Sequence, residues 1–198
     1  MKAKKIAAVI LAAGGSSRLG RPKQLLDWFG KPFIKQLIDI TLKAELDPVI
    51  VVTGSSHEEV VQAIKDEKVV IVRNEKWKSG QSSSMQAGCK TLKNYDVDAF
   101  IIFLCDQPQV PLELINTIRL AAQDDEFDII ATSVNDRICP PTLFKTGCID
   151  GIMSLTGDQG GKALFNSYKT QIFNWKDERL LQDSDTEADY LILKKLYT

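Results

Sequence analysis

Hydrophobic residues occur in short runs along this chain, separated by stretches in which apolar and polar positions alternate with helical spacing. Four of five such runs are almost continuously apolar, as is typical of strands covered on both faces of a sheet. The pattern therefore predicts strands at residues 6–12, 48–54, 69–74, 99–105 and 128–134.

Between these runs, apolar residues three and four positions apart predict amphipathic helices. They form two sets, Ile34, Leu37, Ile38 and Leu42, and Leu114, Ile115, Ile118 and Ala122. A third helix is expected to begin in HEEVVQAI, where Ser55 or Ser56 would cap a first turn that contains acidic residues. Strands alternating with helices imply right-handed crossovers and a mainly parallel sheet, in which ligands bind beyond the carboxyl ends of the strands.

Chain length and composition are those of one globular domain, which we assign to residues 1–198. The stretch of about 137–180 departs from the alternation, and we expect it to be an acceptor-side extension of that domain. A net charge of −1 argues against nucleic acid binding through a positive field. No run approaches the roughly 18 apolar residues of a membrane span.

The cysteines and the histidine argue against a zinc site, because the four cysteines are widely spaced in the sequence and His57 is the one histidine that could complete a set of ligands. The cysteines are Cys89, Cys105, Cys139 and Cys148. We expect His57 at the surface and Cys105 buried and inert. The apolar start is interpreted as a strand rather than a secretion signal, because basic residues follow its glycines. Free thiols in such a chain favour a cytoplasmic location.

The segment LAAGGSSRLGRPK, residues 11–23, follows the first predicted strand and matches neither common phosphate-binding motif. Gly15 and Gly20 have the spacing of a P-loop, but Arg21 and Pro22 displace the lysine that should follow. The dinucleotide motif GxGxxG fails because Gly14 and Gly15 are adjacent. The P-loop and the dinucleotide fingerprint are therefore both excluded.

What remains of this segment still suits a long polyphosphate. Glycines adopt positive φ and let backbone N–H groups approach an anion, while serines add donors and basic side chains add charge. The residues concerned are Gly14, Gly15, Gly20, Ser16, Ser17, Arg18 and Lys23. A glycine-rich turn with solvated basic residues is the alternative interpretation.

Two later segments carry further candidate chemistry. In NEKWKSGQSSSMQAG (74–88), Gly80 permits a turn and the serines would cap the next helix while facing a ligand; a plain helix cap with Trp77 as packing is the alternative. In FLCDQPQV, Asp106 follows a buried strand directly, where a short carboxylate is suited to Mg²⁺. An Asx turn into Pro108 would explain that aspartate equally well.

The pattern LAAGxSxRxGxxK resembles the signature of the molybdenum cofactor nucleotidyltransferase family, which transfers a nucleoside monophosphate from an NTP and releases pyrophosphate. Four further segments extend the resemblance over most of the chain: NxxWxxGxxxS, the DxP element at Asp106, GDQGG within 155–165, and DSDTEADY within 182–190. The resemblance implies an α/β protein with a three-layer, Rossmann-like nucleotidyltransferase fold, a mainly parallel sheet, and Mg²⁺ as cofactor.

The resemblance also implies roles for individual residues. Catalytic roles fall to Arg18, Lys23 and Asp106, and metal binding to Asp106 and Asp185, although Asp185 or Thr186 could simply cap the last helix. The nucleotide would be bound by Leu11, Ala12, Ala13, Gly14, Gly15, Ser16, Lys23, Asn74, Gly80, Ser82 and Ser83. The acceptor would be bound by Cys139, Pro141, Gly157, Asp158 and Gly160.

Within the family, the sequence LAAG is similar to that of the branch that uses CTP, whereas LAGG is similar to that of the branch that uses GTP. The two sequences differ at the position of Ala13. The resemblance therefore implies transfer of CMP from CTP to the phosphate of molybdopterin, with a molybdenum hydroxylase as a possible partner. Cys139 departs from the family pattern, since close relatives often have glycine before the proline of RICPPTLF. Three alternatives stay open: GTP as donor, another phosphorylated acceptor such as a sugar phosphate, or a non-catalytic nucleotide-binding or cofactor-insertion protein.

Overall fold

A computed structural model describes residues 3–198, and its centre is a seven-stranded sheet. The strands are β1 (Ile6–Ala12), β2 (Asp27–Trp28), β3 (Lys31–Pro32), β4 (Val49–Thr53), β5 (Val70–Arg73), β6 (Ala99–Leu104), β7 (Ile129–Val134), β8 (Arg137–Lys145) and β9 (Thr170–Asn174). The order across the main sheet is β5-β4-β1-β6-β8-β7-β9, while β2 and β3 form a separate hairpin.

The five predicted strands are confirmed as β1, β4, β5, β6 and β7. The neighbours β5, β4, β1 and β6 all pair in parallel. Leu11 at the end of β1 pairs with Leu104 at the end of β6. The loops that leave these two strands therefore start side by side at one edge of the sheet.

Helices cover both faces of the sheet and give the predicted three layers. They are α1 (Phe33–Lys43), α2 (His57–Ala63), α3 (Gln81–Leu92), α4 (Leu112–Ala121), α5 (Ile149–Ser154) and α6 (Glu187–Leu196). Leu37 of α1 and Leu114 of α4 are buried on one face, whereas Met85 of α3 and Ile152 of α5 are buried on the other. The mainly parallel, three-layer α/β prediction is thus confirmed.

The three predicted helices are confirmed as α1, α2 and α4, but the predicted cap of α2 is wrong. Ser56 occupies the N-cap position without a capping bond from its side chain. The Ser55 hydroxyl donates instead to the carbonyl of Gly14, 2.8 Å away. Ser55 therefore supports the loop after β1 rather than the helix.

The sequence pattern missed the hairpin strands β2 and β3 and two strands of the main sheet, β8 and β9, of which β8 lies inside the sheet. It runs antiparallel to both β6 and β7. Its register against β7 shifts between Ala131, which pairs with Thr142, and Thr132, which pairs with Cys139, so that two prolines are bypassed. Proline has no N–H for the ladder, which explains the bulge and the missed strand. The stretch expected as an extension therefore begins as an internal strand of the sheet.

Other sequence expectations have mixed outcomes. His57 is not a fully solvated residue: its side chain is 20% exposed and its Nδ1 lies 2.7 Å from the Thr53 hydroxyl. All four cysteines are buried free thiols, and burial raises the pKa of Cys105, as expected of an inert thiol. Within residues 3–198, no helix has both the length and the apolarity to cross a bilayer.

Candidate active site

The loop after β1 lines a cleft of about 420 Å³ at the carboxyl edge of the sheet. Within the described part of the chain, the backbone amides of residues 14–18 donate to no protein acceptor. Five consecutive unpaired N–H groups beside an open cleft form a binding surface for an anion. The loop thus has the property that its glycines and serines predicted.

A buried side chain that the sequence did not single out holds this loop in place. Gln24 is 1% exposed, and its Nε2 donates to the carbonyls of Ala12 and Gly14, both at 2.9 Å. The Ser16 hydroxyl accepts from the Lys23 amide at 3.0 Å. The Gln24 bonds occupy two carbonyls at the start of the loop, while the amides of residues 14–18 keep no protein partner among the described residues.

The expectation of positive φ at three glycines is correct at only one of them. Gly20 has φ +74° and Ser16 has φ 48°, whereas Gly14 and Gly15 do not lie in this region. A side chain at position 15 is disfavoured for another reason, because its Cβ would lie 3.1 Å from the ring of Trp77. Trp77 therefore packs against the loop after β1 and also lines the cleft.

Two basic and two acidic side chains meet on one side of the cleft. Lys23 Nζ lies 2.7 Å from Asp185 Oδ1 and 3.2 Å from Asp106 Oδ2, and Arg18 lies 2.7 Å from Asp185 Oδ2. Burial acts to lower the pKa of Lys23, but Asp106 and Asp185 outweigh it and the pKa is raised. The hydrogen bond from Lys23, helped by Arg18, lowers the pKa of Asp185.

The same carboxylates provide ligands suited to a divalent cation. Asp106 Oδ1 is buried and has no hydrogen-bond partner in residues 3–198. No three His, Cys, Asp or Glu side chains of the described chain converge on a metal position. Mg²⁺ is commonly held by one or two carboxylates with substrate phosphates completing its coordination. Asp106 and Asp185 therefore fit a cation that arrives with a polyphosphate.

The opposite wall is built by the segment before and within α3. The Asn74 side chain is buried and donates to the hydroxyls of Ser83 and Ser84. The amide and hydroxyl of Ser82 both donate to the carbonyl of Gly157. The N-cap of α3 is Gly80, with φ +98°, so the predicted capping by these serines is wrong. Asn74, Ser82 and Ser83 shape the wall but do not line the cleft.

A second, smaller cavity of about 200 Å³ adjoins the cleft and contains part of the predicted acceptor site. Cys139 and Gly160 line it, together with Pro140, Lys162 and Phe165. Asp158 lines the main cleft instead. Pro141 and Gly157 line neither cavity, so their roles in binding the acceptor stay predictions. The Pro141 carbonyl accepts from Thr132, and Gly157 packs beneath Gly80.

Most of the predicted residues converge on the cleft. It is lined by Leu11, Ala13, Gly14, Gly15, Ser16, Arg18, Lys23, Gly80, Asp106, Asp158 and Asp185, whereas Ala12 is buried behind it. The sequence analysis did not propose Gln24, Lys78 or Gln81 for this surface, and it named Ser84 only as one of the serines that would face a ligand. Gln81 and Ser84 are three positions apart on α3, so the helical period starting after Gly80 is the signal that could have identified them.

The fold is that of an α/β nucleotidyltransferase, and the unpaired amides and paired carboxylates of the cleft fit phosphates and a divalent cation. The model of the MobA-like NTP transferase domain matches residues 8–172, and the chain belongs to that family. It is accordingly a nucleotidyltransferase.

Individual relatives agree with this assignment. Purine catabolism protein PucB of Bacillus subtilis (strain 168) is 26% identical over 206 residues, which cover 98% of each chain. A probable molybdenum cofactor guanylyltransferase of Bacillus mycoides (strain KBAB4) is 29% identical over 136 residues, covering 69% of this chain and 66% of that protein.

Solved structures show the same architecture. Rv0371c from Mycobacterium tuberculosis H37Rv matches with a TM-score of 0.82 and 26% identity, covering 98% of this chain and all of that one (100%). A second structure, Rv0371C in complex with manganese, matches with a TM-score of 0.76 and 23% identity over 96% of this chain and 98% of that one.

Proposed function

We propose that this enzyme transfers CMP from CTP to the phosphate of molybdopterin, releasing pyrophosphate, with Mg²⁺ as the working cation. The observation that carries the proposal is the run of unpaired amides at residues 14–18 beside Lys23, Asp106 and Asp185. Such a surface binds a triphosphate and its cation together.

The proposed reaction needs little acid–base chemistry. An oxygen of the acceptor phosphate attacks the α-phosphorus, and the bond to the β-phosphate oxygen breaks as pyrophosphate leaves with the electron pair. A phosphate nucleophile is already ionised near neutrality, so positioning and charge stabilisation supply the rate. The loop amides, Arg18 and Lys23 would stabilise the departing pyrophosphate. Asp106 and Asp185 would hold Mg²⁺, which when bound supplies positive charge at the phosphates.

Support for CTP comes from Ala13, which lines the cleft at the position where the spelling LAAG differs from LAGG. A methyl group here leaves less room for the larger purine base. The relative named guanylyltransferase favours GTP as the second candidate donor. We expect Ala13→Gly to raise the kcat/KM for GTP relative to that for CTP.

Support for molybdopterin as the acceptor comes from the same relative, whose name refers to the molybdenum cofactor. A phosphorylated sugar is the competing acceptor, because Cys139 changes the family pattern beside the second cavity. On this proposal the product would pass to a molybdenum hydroxylase, and the four free thiols agree with action in the cytoplasm.

The direct test measures pyrophosphate release with Mg²⁺, each NTP in turn, and either molybdopterin or a panel of sugar phosphates. We expect the highest rate with CTP and molybdopterin, and loss of activity when the divalent cation is chelated. A rate with GTP and molybdopterin that equals or exceeds the CTP rate would overturn the CTP assignment. Turnover confined to a sugar phosphate would overturn the molybdopterin assignment.

The role of the carboxylate after β6 is tested by Asp106→Asn. We expect a loss of at least about 100-fold in kcat, because the amide cannot supply the charge that holds the cation. Asp66→Asn, which changes an exposed aspartate, is the matched control and should retain full activity. An Asp106→Asn enzyme with unchanged turnover would contradict the proposed cation site.

A further inference from the structure

The main cleft and the second cavity share two lining residues, Gln81 and Leu104. Leu104 ends β6 two positions before Asp106, and Gln81 is the first residue of α3. Since Leu104 is apolar, Gln81 is the only polar side chain common to the two cavities among residues 3–198. The carboxamide of Gln81 is therefore the polar side-chain group at the boundary between the two cavities.

The Gln81 side chain makes no hydrogen bond to any described residue, although it is half-buried. A carboxamide offers two N–H donors and one acceptor oxygen, so its full capacity remains available to a ligand. By contrast, Gln86 on the same helix uses its amide to bind the carbonyls of Met153 and Leu155. Gln86 has a structural role, whereas no residue from 3 to 198 hydrogen-bonds to the side-chain amide of Gln81.

The backbone around Gln81 limits where its carboxamide lies. Gly80, which precedes it, packs so closely on Gly157 that a Cβ would come within 2.2 Å of the Gly157 carbonyl carbon. A Cβ on Gly160 would lie 3.1 Å from Gln81 Oε1, so the glycine lets this oxygen lie against the backbone. Because Oε1 lies nearest to Gly160, we assign Nε2 to the boundary between the cavities.

The chemistry of transfer requires both substrates to meet at such a boundary. The cleft offers the amides, cations and carboxylates that a triphosphate needs, while the second cavity is lined largely by apolar groups beside Lys162. If the NTP occupies the cleft and the acceptor body the cavity, the α-phosphorus and the attacking oxygen lie between them. This step rests on the proposed assignment of the two cavities.

We propose that Gln81 is a catalytic residue, and that its Nε2 donates a hydrogen bond to a non-bridging oxygen of the α-phosphoryl group during transfer. As the acceptor oxygen forms its bond to phosphorus and pyrophosphate leaves with its electron pair, negative charge at the reacting group is redistributed over these oxygens. A fixed donor at that point stabilises the transition state more than the bound NTP.

The test compares Gln81→Ala and Gln81→Glu with the wild type, using the NTP and acceptor that the wild type turns over fastest. Loss of one donor to developing charge costs about 10²–10³ in kcat in other enzymes. We expect a loss of that order for Gln81→Ala, with the Kd for the NTP changed less than about threefold. Gln81→Glu should lose more, because its carboxylate repels the phosphoryl oxygens.

Two controls separate this role from folding and from a general effect of losing a glutamine. Thermal unfolding should give Gln81→Ala a Tm close to that of the wild type, because the side chain makes no hydrogen bond that the substitution removes. Gln62→Ala changes an exposed glutamine of α2 in the same way and should retain full activity. The reverse reaction, NTP formation from the product and pyrophosphate, should fall by the same factor as the forward one.

The proposal is overturned if Gln81→Ala keeps its kcat, or if the Kd for the NTP rises by the whole factor by which kcat/KM falls. The second result would make Gln81 an ordinary nucleotide contact. This test does not depend on which substrates are correct. Turnover with GTP or a sugar phosphate would refute CTP or molybdopterin as the substrate, and the role of Gln81 would then be tested with the substrates that the enzyme does use.

Discussion

Lys23 contacts Asp106 and Asp185 on one side of the cleft, although 83 and 162 positions separate it from them in the chain. In the protein without ligands, these charges compensate one another. On the proposed function, a triphosphate with its cation would provide the opposite partner for each group, so that binding would exchange one set of ion pairs for another. The sequence predicted a role for all three residues but not that they bind each other.

Lys23→Met should weaken NTP binding strongly, by about 100-fold in Kd or more, because it removes a charge-assisted contact to phosphate. It should also lower the free energy of unfolding near pH 7 by about 1–3 kcal/mol, since two partly buried carboxylates lose a donor. Isothermal titration calorimetry and urea unfolding measure the two effects. Lys43→Met, at an exposed position, is the control and should change neither.

The pH dependence of this difference in stability follows from the shifted pKa values of Asp185 and Lys23. The pKa of Asp185 is lowered from 3.8 in the folded protein. Its contribution to the free energy of unfolding is therefore present above about pH 3.8 and disappears as the pH falls through the lower pKa of the folded state. The pKa of Lys23 is raised from 10.5 in the folded protein. Its contribution to the free energy of unfolding is therefore present below that pH and disappears as the pH rises through the higher pKa of the folded state. The stability difference should therefore be constant from about pH 5 to 9. A difference that grows on acidification would contradict the ion pairs.

At the scale of elements, the last helix settles an ambiguity that the sequence left open. Thr186 caps α6, its hydroxyl accepting from the amide of Asp189, whose carboxylate binds back to the Thr186 amide. Asp185 is therefore not the cap, and its carboxylate is directed to Lys23 and Arg18. The capping pattern was visible in the sequence, but the partners of Asp185 were not.

The bulge of β8 is the element that shapes the second cavity, and Thr132 supports it. The buried Thr132 hydroxyl donates to the Pro141 carbonyl at 2.7 Å, beside the residues Cys139 and Pro140 that line the cavity. Thr132→Val keeps the shape but leaves that carbonyl unpaired, which should cost about 1–3 kcal/mol of stability. Steady-state kinetics should show a KM for the acceptor raised several-fold and a KM for the NTP unchanged.

Thr117→Val is the matched control for this prediction, because the Thr117 hydroxyl donates within the exposed surface of α4. It should change stability by less than about 0.5 kcal/mol and leave both KM values alone. If Thr132→Val raised the two KM values equally, the bulge would not act on the acceptor side alone.

At the scale of the whole molecule, β8 joins the late part of the chain to the early part. It pairs with β6 on one side and with β7 on the other, so residues 137–145 are hydrogen-bonded into the middle of the sheet. Phe144 of β8 packs on Phe100 of β6, and a Cβ on Gly161 would come within 2.4 Å of the Phe144 ring. This interleaving supports the single domain that we propose for residues 1–198.

We therefore expect one cooperative heat-unfolding transition, with equal calorimetric and van 't Hoff enthalpies. Differential scanning calorimetry measures this directly, and near-ultraviolet and far-ultraviolet circular dichroism should give coincident curves. Two separate transitions, with the stretch of about 137–180 unfolding first, would contradict a single domain.

The sequence by itself determined the elements whose signals are local. Continuous apolar runs located five strands because a strand buried on both faces needs apolar residues at consecutive positions. Lys23 and Asp106 were found because each lies in a loop that follows a parallel strand, where ligands bind. β8 was missed because its prolines interrupt the pattern that identifies strands, and β9 (Thr170–Asn174) because it is mostly half-exposed.

Only the tertiary structure decided which of these groups work together. Gln24 fixes the loop after β1 and Gly157 supports Gly80, yet neither contact has a pattern along the chain. The helical period could place Gln81 on one face of α3, but not beside two cavities. Local spacing encodes secondary structure, whereas a site depends on distances between residues brought together when strands pair and helices pack. That is why the sequence predicted the chemistry of the cleft, and why the arrangement of its charges and its second cavity depended on the fold.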